Sequence, residues 1–247
     1  MDSEIMKDQN VRKAVEMGID KDGFCSVIMQ GRGVPAKAAF PNSFSYGNDA
    51  VETVSYDPEG AKKLLEESGW TDTDGDGYVD KDGQKLSINW LTYPTRLEQP
   101  KLAEYAQATL KDIGIDVVVN NTSDHMTIAK NGDFDVYVSS ITTAPTGDPE
   151  YFFTSTVTGA KNFGNYQNEE VTKLTDQLHQ TFDKDERAKL AVELQQDILD
   201  DDAFFFVSHL NMGIVTKSNV TGMAAHPCDY YEITADLDVC LLYTSDA

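Results

Sequence analysis

Oxygen ligands are densest between Trp70 and Gly83. In WTDTDGDGYVDKDG, Asp72, Asp74, Asp76 and Asp80 alternate around Gly77. An EF-hand loop places oxygens at positions 1, 3, 5, 7 and 9, glycine at 6 and a bidentate glutamate at 12. With Asp72 as the first position, Asp74, Asp76, Gly77 and Asp80 fall in register, but the last position is Gly83, which has no side chain. The segment that follows, QKLSINWL, alternates like a strand where an EF-hand needs a helix. The run therefore reads as paired Asp/Gly turns opening a hairpin, with calcium at Asp72, Asp74, Asp76 and Asp80 the lesser reading.

The four histidines, His125, His179, His209 and His226, are scattered, with no HxxxH or HExxH spacing. His179 lies toward the polar face of a helix and reads as solvated. His209, after FFFVS, reads as a satisfied core or hinge residue. His226, in the irregular AAHPCDYYE, is the one histidine retained as a candidate metal ligand. Cys25, Cys228 and Cys240 make no CxxC pair. There is no GxSxG elbow, no metalloprotease helix, and no GxGxxG or Walker loop. The hydroxyls of SSITTAP have no base at a fixed offset. Without a nucleophile, base or cofactor loop, the chain reads as a binder and not an enzyme.

Three segments suit binding of a small polar ligand. TYPTRLEQP supplies Tyr93 and Arg96, ITTAPTGDPEYFF supplies Thr143, Thr146 and Asp148, and KNFGNYQNEE supplies Asn162, Phe163 and Tyr166. Rings, amides and one guanidinium grouped this way fit such a ligand, although each residue taken singly also fits ordinary turn chemistry.

The elements that must position them follow from periodicity. DQNVRKAVEMGID predicts a helix capped by Asp8 or Asn10, with Val11, Ala14 and Val15 on one face. KDGFCSVIMQG predicts a short helix ending at Gly31, and residues 31–56, lacking periodicity, read as a long surface segment. Asp57, Pro58 and Gly69 punctuate a helix around Leu64 and Leu65. KLSINWLTY predicts a strand, and QPKLAEYAQATLKDIG a helix begun by Pro100. IDVVVN and FDVYVSSI are further strands, separated by the short helix SDHMTIAKNG. Strands alternating with helices predict an α/β fold with a parallel sheet, whose ligands sit outside the carboxyl ends of the strands. Here those ends are LTYPTR and SSITTAPTGDPEYFF. Two late helices, NEEVTKLTDQLHQTF and DKDERAKLAVELQQDILDD, precede AFFFVSHLNMGIVT, which predicts one or two buried strands.

Composition agrees with a packed binder. The 247 residues are 40% hydrophobic, enough for a sizeable core. The net charge of −22 argues against nucleic acid and against an anionic membrane surface as partners. No run of 18 or more apolar residues spans a membrane. A dockerin-like calcium module would need the acidic loop repeated, and it occurs once.

The order of segments resembles the family 5 extracytoplasmic solute-binding proteins of peptide and nickel ABC importers. It is carried by DQNVRKAVEMGIDKDGF, QGRGVPAKAAFP, YDPEGAKKLLEESGW, DGDGYVDKDGQKLSINWLTY, LAEYAQATLKDIGIDV, NGDFDVYVSS, GDPEYFF, NYQNEEVTKL and DDDAFFFVSHLNMGIVTKSNVTGM, and covers nearly all of residues 8–239. TYPTRLEQPKLAEYAQ and TTAPTGDPEYFF look more like the nickel-importer branch than the oligopeptide branch.

The resemblance implies a periplasmic-binding-protein type II lobe, with a mixed, largely parallel sheet flanked by helices. It implies residues 1–206 as the second, C-terminal lobe of a two-lobed trap and residues 207–239 as a segment returning to the first lobe. It implies a ligand, either a nickel chelate or a di- or oligopeptide, and a membrane ABC permease as partner. The implied location is the periplasm, or the cell surface as a lipoprotein, with the targeting segment expected outside this chain. Cleft residues in the family match the loop from Ile141 to Asp148 and the segment from Thr158 to Tyr166. Some nickel binders carry a histidine in the second of these, and this sequence has none there. A chelate held by rings and polar groups is the expectation, with His226 the remaining ligand candidate. The closing CLLYTSDA resembles the translation of a transposase adapter used in sequencing libraries, so residues 240–247 are expected to lie outside the fold.

Overall fold

A computed structural model describes residues 3–225 and 233–239. Helix α1 (Gln9–Met17) opens at Asp8, whose carboxylate accepts the Asn10 amide at 3.0 Å. A turn of helix, α2 (Lys21–Gly23), continues as a π-helix over Phe24–Ile28 and leads to strand β1 (Gly33–Pro35). Helix α3 (Pro58–Glu67) begins as the sequence predicts: Asp57 accepts from Gly60 N at 2.9 Å and Pro58 occupies the first turn, where its missing N–H costs nothing. It packs on α1.

The acidic run forms a hairpin, β2 (Asp80–Lys81) with β3 (Gln84–Lys85). Its turn is Asp82–Gly83, both left-handed at φ 54° and 74°, the backbone that a two-residue Asp-Gly turn requires. The hairpin feeds β4 (Ser87–Thr92). Then come α4 (Glu98–Lys111), β5 (Asp116–Asn121), α5 (His125–Asn131) and β6 (Val136–Tyr137). Helix α4 starts two residues before Pro100, which is tolerated because first-turn amides have no partner within the helix. The main sheet is wholly parallel in the order β5–β4–β6, with Ser87 opposite Asp116, Thr92 opposite Asn121 and Leu91 opposite Tyr137. Three strands therefore end together, at Thr92, Asn121 and Tyr137.

A turn of helix, α6 (Glu150–Phe152), runs into a π-helix over Phe153–Val157. Helices α7 (Glu169–Gln180) and α8 (Lys184–Asp200) then form an antiparallel pair capped by Asn168 and Asp183. Strand β7 (Ser208–Leu210) returns to pair antiparallel with β1, and β8 (Val220–Thr221) pairs with β9 (Asp238–Val239). No helix among the described residues is long and apolar enough to cross a membrane.

Two cores result. The first gathers Ile88 and Trp90 of β4 with Val11, Val15, Ala106 and Leu110. The second gathers Phe40, Phe152 and Phe153 with Leu174, Leu178, Leu190 and Leu194. Two expectations change here. Residues 31–56 lie only partly on the surface: Val34 and Tyr56 are exposed, but Ala38 and Phe40 are fully buried. Their irregular backbone is tolerated inside because side-chain amides satisfy it. Asn48 Oδ1 accepts from Lys37 N and Ala38 N at 3.0 and 3.1 Å, and Asn48 Nδ2 donates to Pro35 O at 3.0 Å. Gln195 accepts from Ala39 N and donates to Tyr46 O. The run AFFFV is not a paired strand but an extended strip between the cores. Phe204 and Phe206 face the second core, Phe205 and Val207 the first. Both faces are covered, hence an apolar run without alternation. Beyond Leu210 the predicted strand does not continue, and Met212 and Val215 are exposed.

Candidate functional site

The carboxyl ends of β4, β5 and β6 carry a row of rings. Tyr93 directly follows β4 and is nearly buried. Its ring stacks on the imidazole of His125 with centroids 4.2 Å apart and planes at 21°. His125 opens α5, the helix after β5, and its Nδ1 lies 2.8 Å from the hydroxyl of Tyr137, the last residue of β6. Tyr137 meets Phe163 edge to face at 5.8 Å and 70°. Burial pushes the Tyr137 phenol up, so its hydroxyl stays protonated and able to bond the imidazole. Among the described residues His125 Nε2 makes no hydrogen bond, so that nitrogen is free to meet a solute.

Ser140 fixes the base of this row. Its amide donates to the Tyr93 hydroxyl at 3.2 Å, and its own hydroxyl donates to Glu98 at 3.0 Å while accepting from Gln99 Nε2 at 2.6 Å. Gln99 is buried in the first turn of α4.

The predicted site residues divide three ways. Tyr93 and Phe163 stand in the row. Arg96 and Thr146 are exposed and Thr143 half-buried, and their side chains make no hydrogen bond among the described residues. Asp148, Asn162 and Tyr166 are engaged in local structure. Asp148 accepts two bonds from Arg187, at 2.9 and 2.6 Å, and caps α6 through Glu150 N. Burial raises the Asp148 carboxyl, but Arg187 and the Glu150 amide together bring it below its ordinary value. Asn162 closes its own turn on both backbone groups of Tyr166. The Tyr166 hydroxyl donates to Asp201 at 2.6 Å. His226 lies outside the described residues.

His125, Tyr137 and Ser140 are absent from the residues singled out by sequence. The signal was the carboxyl end of the second strand of the sheet, IDVVVN, whose continuation NTSDH leads to His125. Of the other histidines, His209 on β7 bonds Asn48 Oδ1 at 3.0 Å. Since that oxygen already accepts two backbone amides, His209 Nε2 carries the proton. His179 is exposed, 2.6 Å from Glu150.

The acidic loop lies at the amino end of β4, about 20 Å along the strand from Tyr93. Its carboxylates close the loop on itself. Asp72 accepts from Gly75 N and Gly77 N, Asp74 from Asp76 N, Asp76 from Tyr78 N, and Asp80 from Thr73. Oxygens of Asp72, Asp74 and Asp80 come within 4.8 Å of one another, while Asp76 pairs with Lys85 at 2.6 Å. Two shallow concavities, of about 350 Å³ beside Lys13 and Asp202 and about 230 Å³ beside Asn42 and Asp49, lie away from the strand ends. The ring row is an open face, with His125, Tyr137 and Phe163 each half-exposed.

Comparison with known proteins places the chain. Residues 1–164 match the family model described as bacterial extracellular solute-binding proteins, family 5 Middle. The oligopeptide-binding protein AppA of Bacillus subtilis (strain 168) is 30% identical over 240 residues, 94% of this chain and 44% of that protein. AppA solved in complex with a nonapeptide superposes with a TM-score of 0.78 at 27% identity, over 93% of this chain and 47% of that one. NikA from Staphylococcus aureus in complex with Ni(L-His)2 superposes with a TM-score of 0.77 at 26% identity, over 94% and 48%. The chain thus spans less than half the length of each of these relatives.

Proposed function

The chain belongs to the family 5 bacterial extracellular solute-binding proteins, with the α/β fold of a type II periplasmic binding protein, and from that premise we propose that it captures a small solute for an ABC importer. The solute is a nickel chelate, received on the row Tyr93–His125–Tyr137–Phe163. That row, spread over three parallel strand ends, is the observation that carries the reading. In this proposal a second lobe closes over the open face, and the closed form docks on a membrane permease outside the cytoplasm.

The chemistry of the face favours a chelate over a bare cation. Divalent metal held by protein alone wants several carboxylates, imidazoles or thiolates. The row offers one imidazole, and the nearby carboxylate of Glu98 is already bonded to Ser140. A chelate brings its own ligands and presents rings, amides and carboxylates, which stacking side chains and hydroxyls hold well. A di- or oligopeptide is the second reading, favoured by the match to AppA over 94% of this chain.

Calorimetry separates these readings. The protein is titrated with nickel(II), nickel–histidine and a dipeptide pool. Heat with nickel–histidine and none with nickel(II) alone is expected. Heat only with dipeptides moves the assignment to the second reading, and heat with none of the three refutes solute capture of either kind.

A further inference from the structure

The segment from Ser139 to Asp148 leaves the carboxyl end of β6 and ends at α6. Its near end is bound to the first half of the molecule, through Ser140 to Tyr93, Glu98 and Gln99. Its far end is bound to the second. Tyr46, buried against Phe40, donates its hydroxyl to Gly147 O at 2.9 Å, and Ala144 is buried in the second core. Gly147 is left-handed at φ 77°, a turn that glycine makes without strain. One residue on, Arg187 takes both oxygens of Asp148. The same guanidinium reaches Glu150 at 2.8 Å and the carbonyls of Leu178 and Thr181 at 2.6 Å each. Those carbonyls close the end of α7, so every donor group of Arg187 is spent on the strap, on Glu150 of α6 or on the α7–α8 corner. A planar five-donor fork is what this geometry needs, and lysine cannot supply it.

We propose that Arg187 is a positioning residue for solute binding: it fixes the far end of the strap 139–148, and so sets where Thr143 and Thr146 stand on the segment that leaves the ring row at Tyr137. Arg187 does not itself touch the solute. This rests on the reading of the strand-end face as the binding face.

The test uses Arg187→Gln, with Leu174→Ala as a control that loosens the same helix pair from its buried side. Hydrogen exchange of the strap and calorimetric affinity for nickel–histidine, or for the dipeptide pool if the unaltered protein binds that instead, are both measured. Arg187→Gln is expected to speed exchange at the Ser140 and Gly147 amides about tenfold and to weaken binding about tenfold, with exchange in β4 unchanged. Leu174→Ala lowers the melting temperature and leaves strap exchange and affinity within about twofold. If Arg187→Gln does not fold, Asp148→Asn, which retains an acceptor for the Glu150 amide, gives the same signature. Unaltered strap exchange, or a loosened strap with unaltered affinity, overturns the inference, as does an equal loss of affinity in Leu174→Ala. If neither probe binds the unaltered protein, the functional reading fails, and the exchange measurement alone decides whether Arg187 holds the strap.

Discussion

His125 has one ring face against Tyr93 and its Nδ1 against the Tyr137 hydroxyl, so its orientation is settled before any solute arrives. Preorganisation of this kind removes an ordering cost from binding. His125→Ala deletes both the imidazole and the surface on which Tyr93 stacks. A loss of about tenfold or more in affinity, about 1.4 kcal/mol, is the expected result by calorimetry. Tyr137→Phe keeps the ring against Phe163 and removes only the orienting hydroxyl, so a smaller loss of about fivefold follows from one hydrogen bond of about 1 kcal/mol. Equal affinity in both variants and the unaltered protein would contradict a role for the row. At this scale the sequence was half legible. Tyr93 and Phe163 stand beside strong turn signals. Tyr137 sits inside an apolar run where it looks like core, and His125 is revealed only when all three strand ends are drawn together.

Elements whose stability is local were read correctly, because their signals lie within one turn of chain. The Asp57–Pro58 cap and the Asp82–Gly83 turn are of this kind. The segment 31–56 was misread because two side-chain amides hold it, Asn48 within it and Gln195 about 150 residues away, and no local pattern announces either. The corner around Arg187 makes a prediction that belongs to this scale. Glu150 is held below its ordinary value by His179 and Arg187, and Asp148 is also depressed despite its burial. A depressed carboxyl contributes stability above its unfolded value, about pH 4, and loses that contribution as pH falls through the folded value. The gap in melting temperature between the unaltered protein and Arg187→Gln is therefore full at pH 6 and narrows below about pH 4. Two melting curves that run parallel from pH 6 to pH 3 would show that these carboxylates do not act through Arg187.

Across the whole molecule, two cores are joined by the extended strip Phe204–Val207, and the strap 139–148 runs from Tyr93 and the start of α4 to the second core. The parallel sheet presents its carboxyl ends, and the ring row on them, at an open face. The acidic loop that first drew attention sits at the other end of β4. Its carboxylates hold backbone amides of their own loop, and the loop serves to turn the chain into the sheet. The parallel order of the sheet was legible from the alternation of strands and helices. The division into two cores was not, because the residues that divide it, Phe204 to Val207, form one unbroken apolar run. In the proposed reading the solute meets the chain at the strand ends. A crystal structure of the protein grown with nickel–histidine tests it most directly. Chelate density in contact with the Tyr93 and His125 rings is the expected result. Density elsewhere, for instance among Asp72, Asp74 and Asp80, with the ring row untouched, would contradict it.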